Sequence, residues 1–234
     1  MALYAIGDIH GCARTLNALL AAIDHDLGRP MNGNDDLVFV GDYVDRGPDS
    51  PAVLDRMIEL EEHSTSGRGP QCTFLRGNHD QMMLDYAIGE GDTELWWVNG
   101  GRTTLAAYEE RGDQMIPTAH VDFLVRTPLA AEGSGFAFVH AGFDTRISIA
   151  ENLEHPDPAI VLWTRKHLEA DLSQWEMPVV CGHTPVSTPV NDPKLIAIDT
   201  GAVFAGRPGL GTMTAVALPE RRFVTVPTSD VIDG

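Results

Sequence analysis

Five short segments pair glycine or another small residue with a side chain able to bind a metal ion. They are Gly7-Asp8-Ile9-His10-Gly11, Gly41-Asp42-Tyr43-Val44-Asp45-Arg46-Gly47, Arg76-Gly77-Asn78-His79-Asp80, His140-Ala141-Gly142 and Gly182-His183-Thr184. Each ends an apolar run. Asp, Asn and His supply oxygen and imidazole donors, with no thiolate among them. That set suits two divalent first-row cations better than one structural zinc. Two adjacent cations with arginines nearby make phosphoester hydrolysis the leading chemistry.

The spacing suggests a division of labour. Asp8 and His10 are two residues apart, so in extended geometry they share a face and suit one cation. The two carboxylate oxygens of Asp42 suit a bridge between cations about 3.5–4 Å apart. Asn78, His140 and His183 then complete the ligand set of the second cation. Water shared by two such cations loses a proton near neutral pH and can attack phosphorus in line. His79 is the candidate general acid for the leaving oxygen, oriented by Asp45. Arg46 offers the planar fork that matches phosphate oxygens.

These residues need elements that bring them together. Leu3-Tyr4-Ala5-Ile6, Leu37-Val38-Phe39-Val40 and Cys72-Thr73-Phe74-Leu75 read as buried strands. Between them, Cys12 to Asp24 carries Leu16, Leu19, Leu20 and Ile23 at helical spacing. A second helix opens with Ser50 as its N-cap and Pro51 at its first position. Strand–motif–helix, twice over, predicts parallel strands with helical crossovers, which place loop residues beyond the strands' carboxyl ends. Residues 81–128 read as helical and irregular. Phe136-Ala137-Phe138-Val139 and Val179-Val180-Cys181 are further strands, and strands over 195–198, 213–218 and 223–226 close the chain, the last two as a hairpin. No linker or internal repeat divides the sequence, so residues 1–234 are expected to form one domain.

The 234 residues carry a formal charge of −18, with no basic run longer than Arg221-Arg222. Such a surface repels nucleic acid and anionic membranes, although one cleft can still attract phosphate through its own cations. It also favours basic phosphopeptides among protein substrates. Cys12, Cys72 and Cys181 are odd in number and form no C-x-x-C pair, as expected of free thiols in a reducing compartment. No signal peptide or membrane-length apolar stretch is evident, so a cytoplasmic protein is expected.

Together the five motifs resemble the metal-dependent phosphoprotein phosphatase superfamily, in the compact form of the bacterial and phage serine/threonine phosphatases. The likeness runs from residue 3 to about residue 205. It implies an α/β fold, a β-sandwich of two mixed sheets flanked by helices with the site at strand ends. It implies two divalent ions, usually manganese, with iron or zinc as alternatives. By position, Asp8, His10 and Asp42 hold one ion, and Asp42, Asn78, His140 and His183 the other. His79 with Asp45 forms the acid pair, and Arg46 binds phosphate. Arg165, within Leu162-Trp163-Thr164-Arg165, matches a second phosphate-binding arginine. The substrate implied is a phosphorylated protein or peptide, or a small phosphoester. No regulatory subunit is implied, because the long C-terminal part of eukaryotic members is missing.

A rival branch hydrolyses dinucleoside tetraphosphates symmetrically. Its members carry Val-Ala-Arg-Gly in the second motif and Gly-His-Trp in the last. Val44-Asp45-Arg46-Gly47 and Gly182-His183-Thr184 differ at both places, which favours phosphomonoester hydrolysis. Asp80 replaces the glutamate usual in eukaryotic members. His25, His63, His120, His155 and His167 read as surface or capping residues. Asn99 to Thr104 reads as a turn capping a helix, and Trp96-Trp97 as local core.

Overall fold

The computed structural model describes residues 1–231. The chain begins with strand β1 (Leu3–Ile6), helix α1 (Ala13–Leu27), β2 (Asp36–Phe39), α2 (Ser50–Thr65) and β3 (Gln71–Phe74). Helices α3 (Asn78–Ala87), α4 (Thr93–Trp96), α5 (Arg102–Arg111) and α6 (Thr118–Arg126) follow, with a wide turn over Trp97–Gly101 leading into α5. The second half holds β4 (Ala130–Gly133), β5 (Phe136–Val139), α7 (Ile149–Glu154), α8 (Pro158–Val161), β6 (Val179–Cys181), β7 (Val190–Asn191), β8 (Leu195–Ala197), β9 (Thr212–Leu218) and β10 (Arg222–Pro227).

Two five-stranded mixed sheets result, in the orders β10-β9-β1-β2-β3 and β4-β5-β6-β8-β7. In the first, β1, β2 and β3 are parallel, and the β9–β10 hairpin closes one side antiparallel. In the second, β5, β6 and β8 are parallel between antiparallel edges. The expected sandwich and the C-terminal hairpin are therefore present. The edge strands β4 and β7 and the short helices α7 and α8 had no clear sequence signal.

The inner strands β1, β2, β5, β6 and β8 are apolar at almost every position because both faces of each sheet are covered there. Leu3, Ala5, Val38 and Val40 face Phe136, Phe138, Val180 and Ile196 between the sheets. Their alternate neighbours Tyr4, Ile6, Leu37 and Phe39 pack instead against α1 and α2, through Leu16, Leu19, Val53 and Leu54. Ala137, Val139, Val179 and Cys181 bury the other face of the second sheet with Phe143, Leu162 and Trp175. Cys12 and Cys181 are core fillers, as expected, and all three thiols are free. No helix among the described residues is long and apolar enough to cross a membrane.

Helix α2 starts one residue away from expectation. Asp49 is its N-cap, accepting from the Ala52 N–H at 3.1 Å. Ser50 is buried in the first turn, where its hydroxyl accepts from the Asp45 N–H. Helix α1 has no side-chain cap of its own. Asp230, from the far end of the chain, supplies it by accepting from the Arg14 and Thr15 N–H groups and the Thr15 hydroxyl, the last at 2.6 Å. This tie fixes the helix that begins two residues after the first motif. Asp230→Ala should lower unfolding free energy by about 0.5–2 kcal/mol, the usual cost of losing a helix cap. A urea titration checks this; an unchanged midpoint would show that the tie contributes nothing.

Candidate metal centre

The motifs converge because the parallel strands of both sheets end at one rim. β1 delivers Asp8 and His10, β2 delivers Asp42 and β3 leads into Asn78 and His79. From the second sheet, β5 delivers His140 and β6 delivers His183. Backbone hydrogen bonds lock these turns together. The Ile9 and His10 N–H groups both donate to Asp42 O, and Gly182 N–H donates to His140 O.

The rim is tightly wound. Among the described residues seven non-glycine residues have positive φ, and five of them are His10, Asp42, Asp45, Arg46 and His183. The other two, Ser134 and Arg221, sit in hairpin turns, where such conformations are ordinary. Each of the five costs about 1–3 kcal/mol and persists only where its surroundings enforce it. Two glycines are required by close approach: a Cβ on Gly77 would collide with the Asp42 carboxylate, and one on Gly182 with that of Asp8.

Two buried groups of potential ligands result. His10, Asp42 and His79 bring one ligand atom each within 4.8 Å of one another, and so do Asp42, His140 and His183. Asp42 belongs to both: its Oδ2 lies 3.4 Å from His10 Nε2 and 3.5 Å from His140 Nε2. Its Oδ1 accepts from the His79 N–H at the start of α3, where the helix terminus favours negative charge. Asn78 Oδ1 lies 3.0 Å from both His140 Nε2 and His183 Nδ1. Asp8 accepts from the His183 N–H with both oxygens.

The tautomers show what these atoms can bind. His10 Nδ1 donates to Val44 O and His140 Nδ1 donates to Val40 O, since a carbonyl only accepts. Their Nε2 atoms therefore point inward as lone pairs. Burial holds both imidazoles below their usual pKa, and it brings His183 down to about 3. Neutral imidazoles, an amide oxygen and carboxylates crowd together with too few protons to separate them. Cations satisfy such a set, and its composition fits the two divalent ions expected. Bound there, they would supply Lewis acidity and lower the pKa of water.

The carboxylates point the same way. Asp8 is pushed well above the normal range, first by burial and then by the charges of Asp199 and Asp42. Asp80 is raised to about 8 by burial and by Asp42, although the N–H groups of Asp42, Tyr43 and Gly77 all donate to it at 2.8 Å. Those three bonds tie the ends of β2 and β3 together, so Asp80 supports the centre from behind, as its position implied.

Next to the centre, His79 Nδ1 and Asp45 Oδ2 are 2.8 Å apart. Burial raises the Asp45 pKa, opposed by its hydrogen bonds from His79, Thr104 and Trp96. Trp96 Nε1 donates to Asp45 at 2.9 Å and the Thr104 hydroxyl at 2.8 Å. Arg46 lies with Nη1 2.8 Å from His10 Nε2, over Phe204, and its own N–H reaches Gly100 O. Arg165 is exposed, and its charge lowers the pKa of both His183 and Asp199. Nine of the ten residues singled out from the sequence thus meet at one rim, and Arg165 reaches it only through its charge on His183 and Asp199.

The sequence reading missed several contributors. Trp96 was read as core. It is buried, and its indole N–H also needs a partner, which Asp45 provides. Thr104, read as part of a capping turn, serves the same carboxylate. Asp199 follows β8 as Asp8 follows β1; it is buried and raised to about 6, first by burial. The strand-then-Asp-x-Gly pattern of Ile196 to Gly201 was its available signal. Two histidines expected at the surface are buried. His120 bonds Tyr108 and Asp55, and His167 packs its ring on Gly142 with Nε2 3.6 Å from Cys181 Sγ.

Fold and site together define a metallophosphoesterase. The sequence matches the calcineurin-like phosphoesterase family over residues 1–204, and the chain belongs to that family. It is 29% identical to the asymmetrical bis(5'-nucleosyl)-tetraphosphatase PrpE of Anoxybacillus flavithermus, over 96% of this chain and 93% of that one. The protein of the same name from Bacillus mycoides is 30% identical over the same shares. A crystal structure provisionally described as a diadenosine tetraphosphatase superposes with a TM-score of 0.68 at 23% identity, covering 97% of this chain and 93% of that one. A cold-active protein tyrosine phosphatase gives 0.61 at 18%, covering 97% and 76%. At these identities, both structures speak for the fold alone.

His167 gives the protein's stability a pH signature. Burial lowers its pKa to about 4, and an unfolded histidine titrates near 6.5. Between those values the unfolded chain holds the extra proton, so stability is complete above pH 6.5 and falls as pH drops towards 4. The expected slope from this residue is about 1.4 kcal/mol per pH unit. Urea unfolding at pH 7.5 and pH 5 should show His167→Gln losing less on acidification than the unmodified protein. An equal loss in both would remove His167 as a source.

Proposed function

We propose that this phosphoesterase cleaves dinucleoside polyphosphates asymmetrically, releasing a nucleoside monophosphate and the longer nucleotide. The observation that carries the chemistry is the Asp42 carboxylate shared between two buried ligand groups. The substrate class is supported by relatives of that printed activity, aligned along nearly the whole chain. It is the class set second from the sequence, and of the asymmetrical rather than the symmetrical kind. Asp8, His10 and Asp42 would hold one ion, and Asp42, Asn78, His140 and His183 the other. Manganese is the first choice from the family resemblance.

The chain's own groups then have distinct tasks. Arg46, beside His10, binds an oxygen of the reacting phosphate, and Arg165 binds a second from the opposite side. His79 donates a proton from Nε2 to the leaving oxygen, while Asp45 holds the ring through Nδ1. Trp96 and Thr104 keep Asp45 in place.

The Asp45–His79 pair also favours a second reading, removal of phosphate from phosphoserine or phosphothreonine. An alkoxide is a poor leaving group and needs a proton from an acid, whereas a phosphate leaving from an anhydride needs it far less. The manganese-loaded protein, offered diadenosine tetraphosphate and a phosphoserine peptide side by side, decides between them. A kcat/KM larger on the peptide would sink the dinucleotide reading. His79→Asn should lower turnover of the peptide by ~10²–10⁴-fold, the usual range for a lost general acid, and that of the dinucleotide by clearly less. Equal losses would remove His79 from the proton-transfer role.

Asp42→Ala tests the shared ligand without an activity assay. Metal analysis of the purified variant should give well under the content of the unmodified protein at both positions. Full retention of two ions would refute the bridge.

A further inference from the structure

A groove of about 440 Å³ opens beside the metal centre. Arg46 and Pro48 form one side, and the other is a face of α5 running from Arg102 through Ala106 and Ala107 to Glu110. Arg102, Ala106 and Glu110 are four residues apart and Ala107 lies three before Glu110, so they line one helical stripe. The stripe presents only methyl groups at its middle, which leaves the space open.

Arg46 joins this groove to the reaction site. Its Nη1 is 2.8 Å from His10 Nε2, and it also lines the groove. Arg102 stands at the same opening with its guanidinium 5.0 Å from the centroid of the Trp97 ring. Two arginines against one carboxylate reverse locally the sign of a chain whose net charge is −18. The volume lies within the range of small-molecule sites, about 300–1,000 Å³, and a small apolar floor with a few polar groups at its edges is their usual lining.

We propose that the groove holds the nucleoside end of the substrate. The base lies on Ala106, Ala107 and Pro48, and Glu110, beyond it, accepts from an exocyclic amino group of the base. Arg46 and Arg102 take the adjoining phosphates, so the chain of phosphates runs over Arg46 into the metal centre. The choice of a dinucleotide rests on the function proposed above; the groove itself asks only for a nucleotide. A phosphopeptide has no planar base to fill it, which makes the groove a specificity element separate from the metal centre.

Calorimetric titration of the manganese-loaded protein with AMP and with ribose 5-phosphate isolates the contribution of the base. AMP should bind at least about tenfold more tightly, and Ala106→Trp, which fills the groove, should bring the two within about twofold. Arg102→Ala, at an exposed position on α5, removes a phosphate-binding charge and should weaken AMP by about tenfold. Equal affinities in the unmodified protein would overturn the groove as a base site. So would a preference that survives Ala106→Trp in a variant folded by circular dichroism, or AMP binding untouched by Arg102→Ala. Turnover of diadenosine tetraphosphate tests the parent reading separately. A protein that prefers AMP in this way yet leaves the dinucleotide intact keeps the groove and loses the dinucleotide.

Discussion

The structure is organised around buried carboxyl groups at the common rim of two sheets. Asp8, Asp42, Asp80 and Asp199 are all buried there. A carboxylate taken out of water costs several kcal/mol unless hydrogen bonds and opposite charge compensate it. Backbone N–H groups do part of this: three for Asp80, that of His183 for Asp8, His79 for Asp42 and Gly201 for Asp199. Most of those donors come from turns of neighbouring strands, so Asp8, Asp42 and Asp80 each pin one motif to another, while Asp199 is held within its own turn. The left-handed conformations of His10, Asp42, Asp45, Arg46 and His183 follow, because only tightly wound turns aim so many groups at one point.

Asp45 stands slightly apart from this cluster and does something different. Its two oxygens receive Trp96, Thr104 and the His79 ring, and its own N–H is bonded by Ser50 and Thr104. The irregular region after β3 exists in part to supply these partners: α4 brings Trp96, and α5 brings Thr104. The same α5 carries Arg102 and the alanines of the groove. One helical segment therefore holds Asp45 on its inner side and borders the groove on its outer side. The metal centre could be retained while this segment varies, which is how one fold can serve several phosphate esters.

Much of the centre was legible because each motif is local. A strand of four apolar residues followed by Gly-Asp or Gly-His carries its position and its chemistry within six residues. Asp199 follows β8 as Asp8 follows β1, but Ile198 stands before it where those motifs have glycine, and Gly201 comes only two residues later. Trp96 and Thr104 were hidden for a different reason: their partner is more than fifty residues away in sequence, and nothing local distinguishes a core tryptophan from one whose N–H holds a carboxylate. His120 and His167 were misplaced because polarity was taken for exposure. His120 is buried at little cost since both ring nitrogens are bonded, while His167 is buried as a neutral ring against Gly142. The groove could not be read at all, since it is made by the absence of side chains at Ala106 and Ala107.

The substrate argument turns on what Asp45 and Thr184 exclude. Both residues separate this chain from the symmetrical dinucleoside tetraphosphate hydrolases, and the sequence reading took that as support for phosphomonoesters. The inference covers too much. It removes one way of cutting a dinucleotide, and leaves the asymmetrical cut untouched. Chemically the two cuts make different demands. Symmetrical cleavage needs the middle of the phosphate chain at the metals, with similar space on either side. Asymmetrical cleavage needs the terminal anhydride there, which sets one nucleoside close to the ions and the other far away. Under the asymmetrical reading proposed above, the groove adjoining Arg46 is where the near nucleoside would lie.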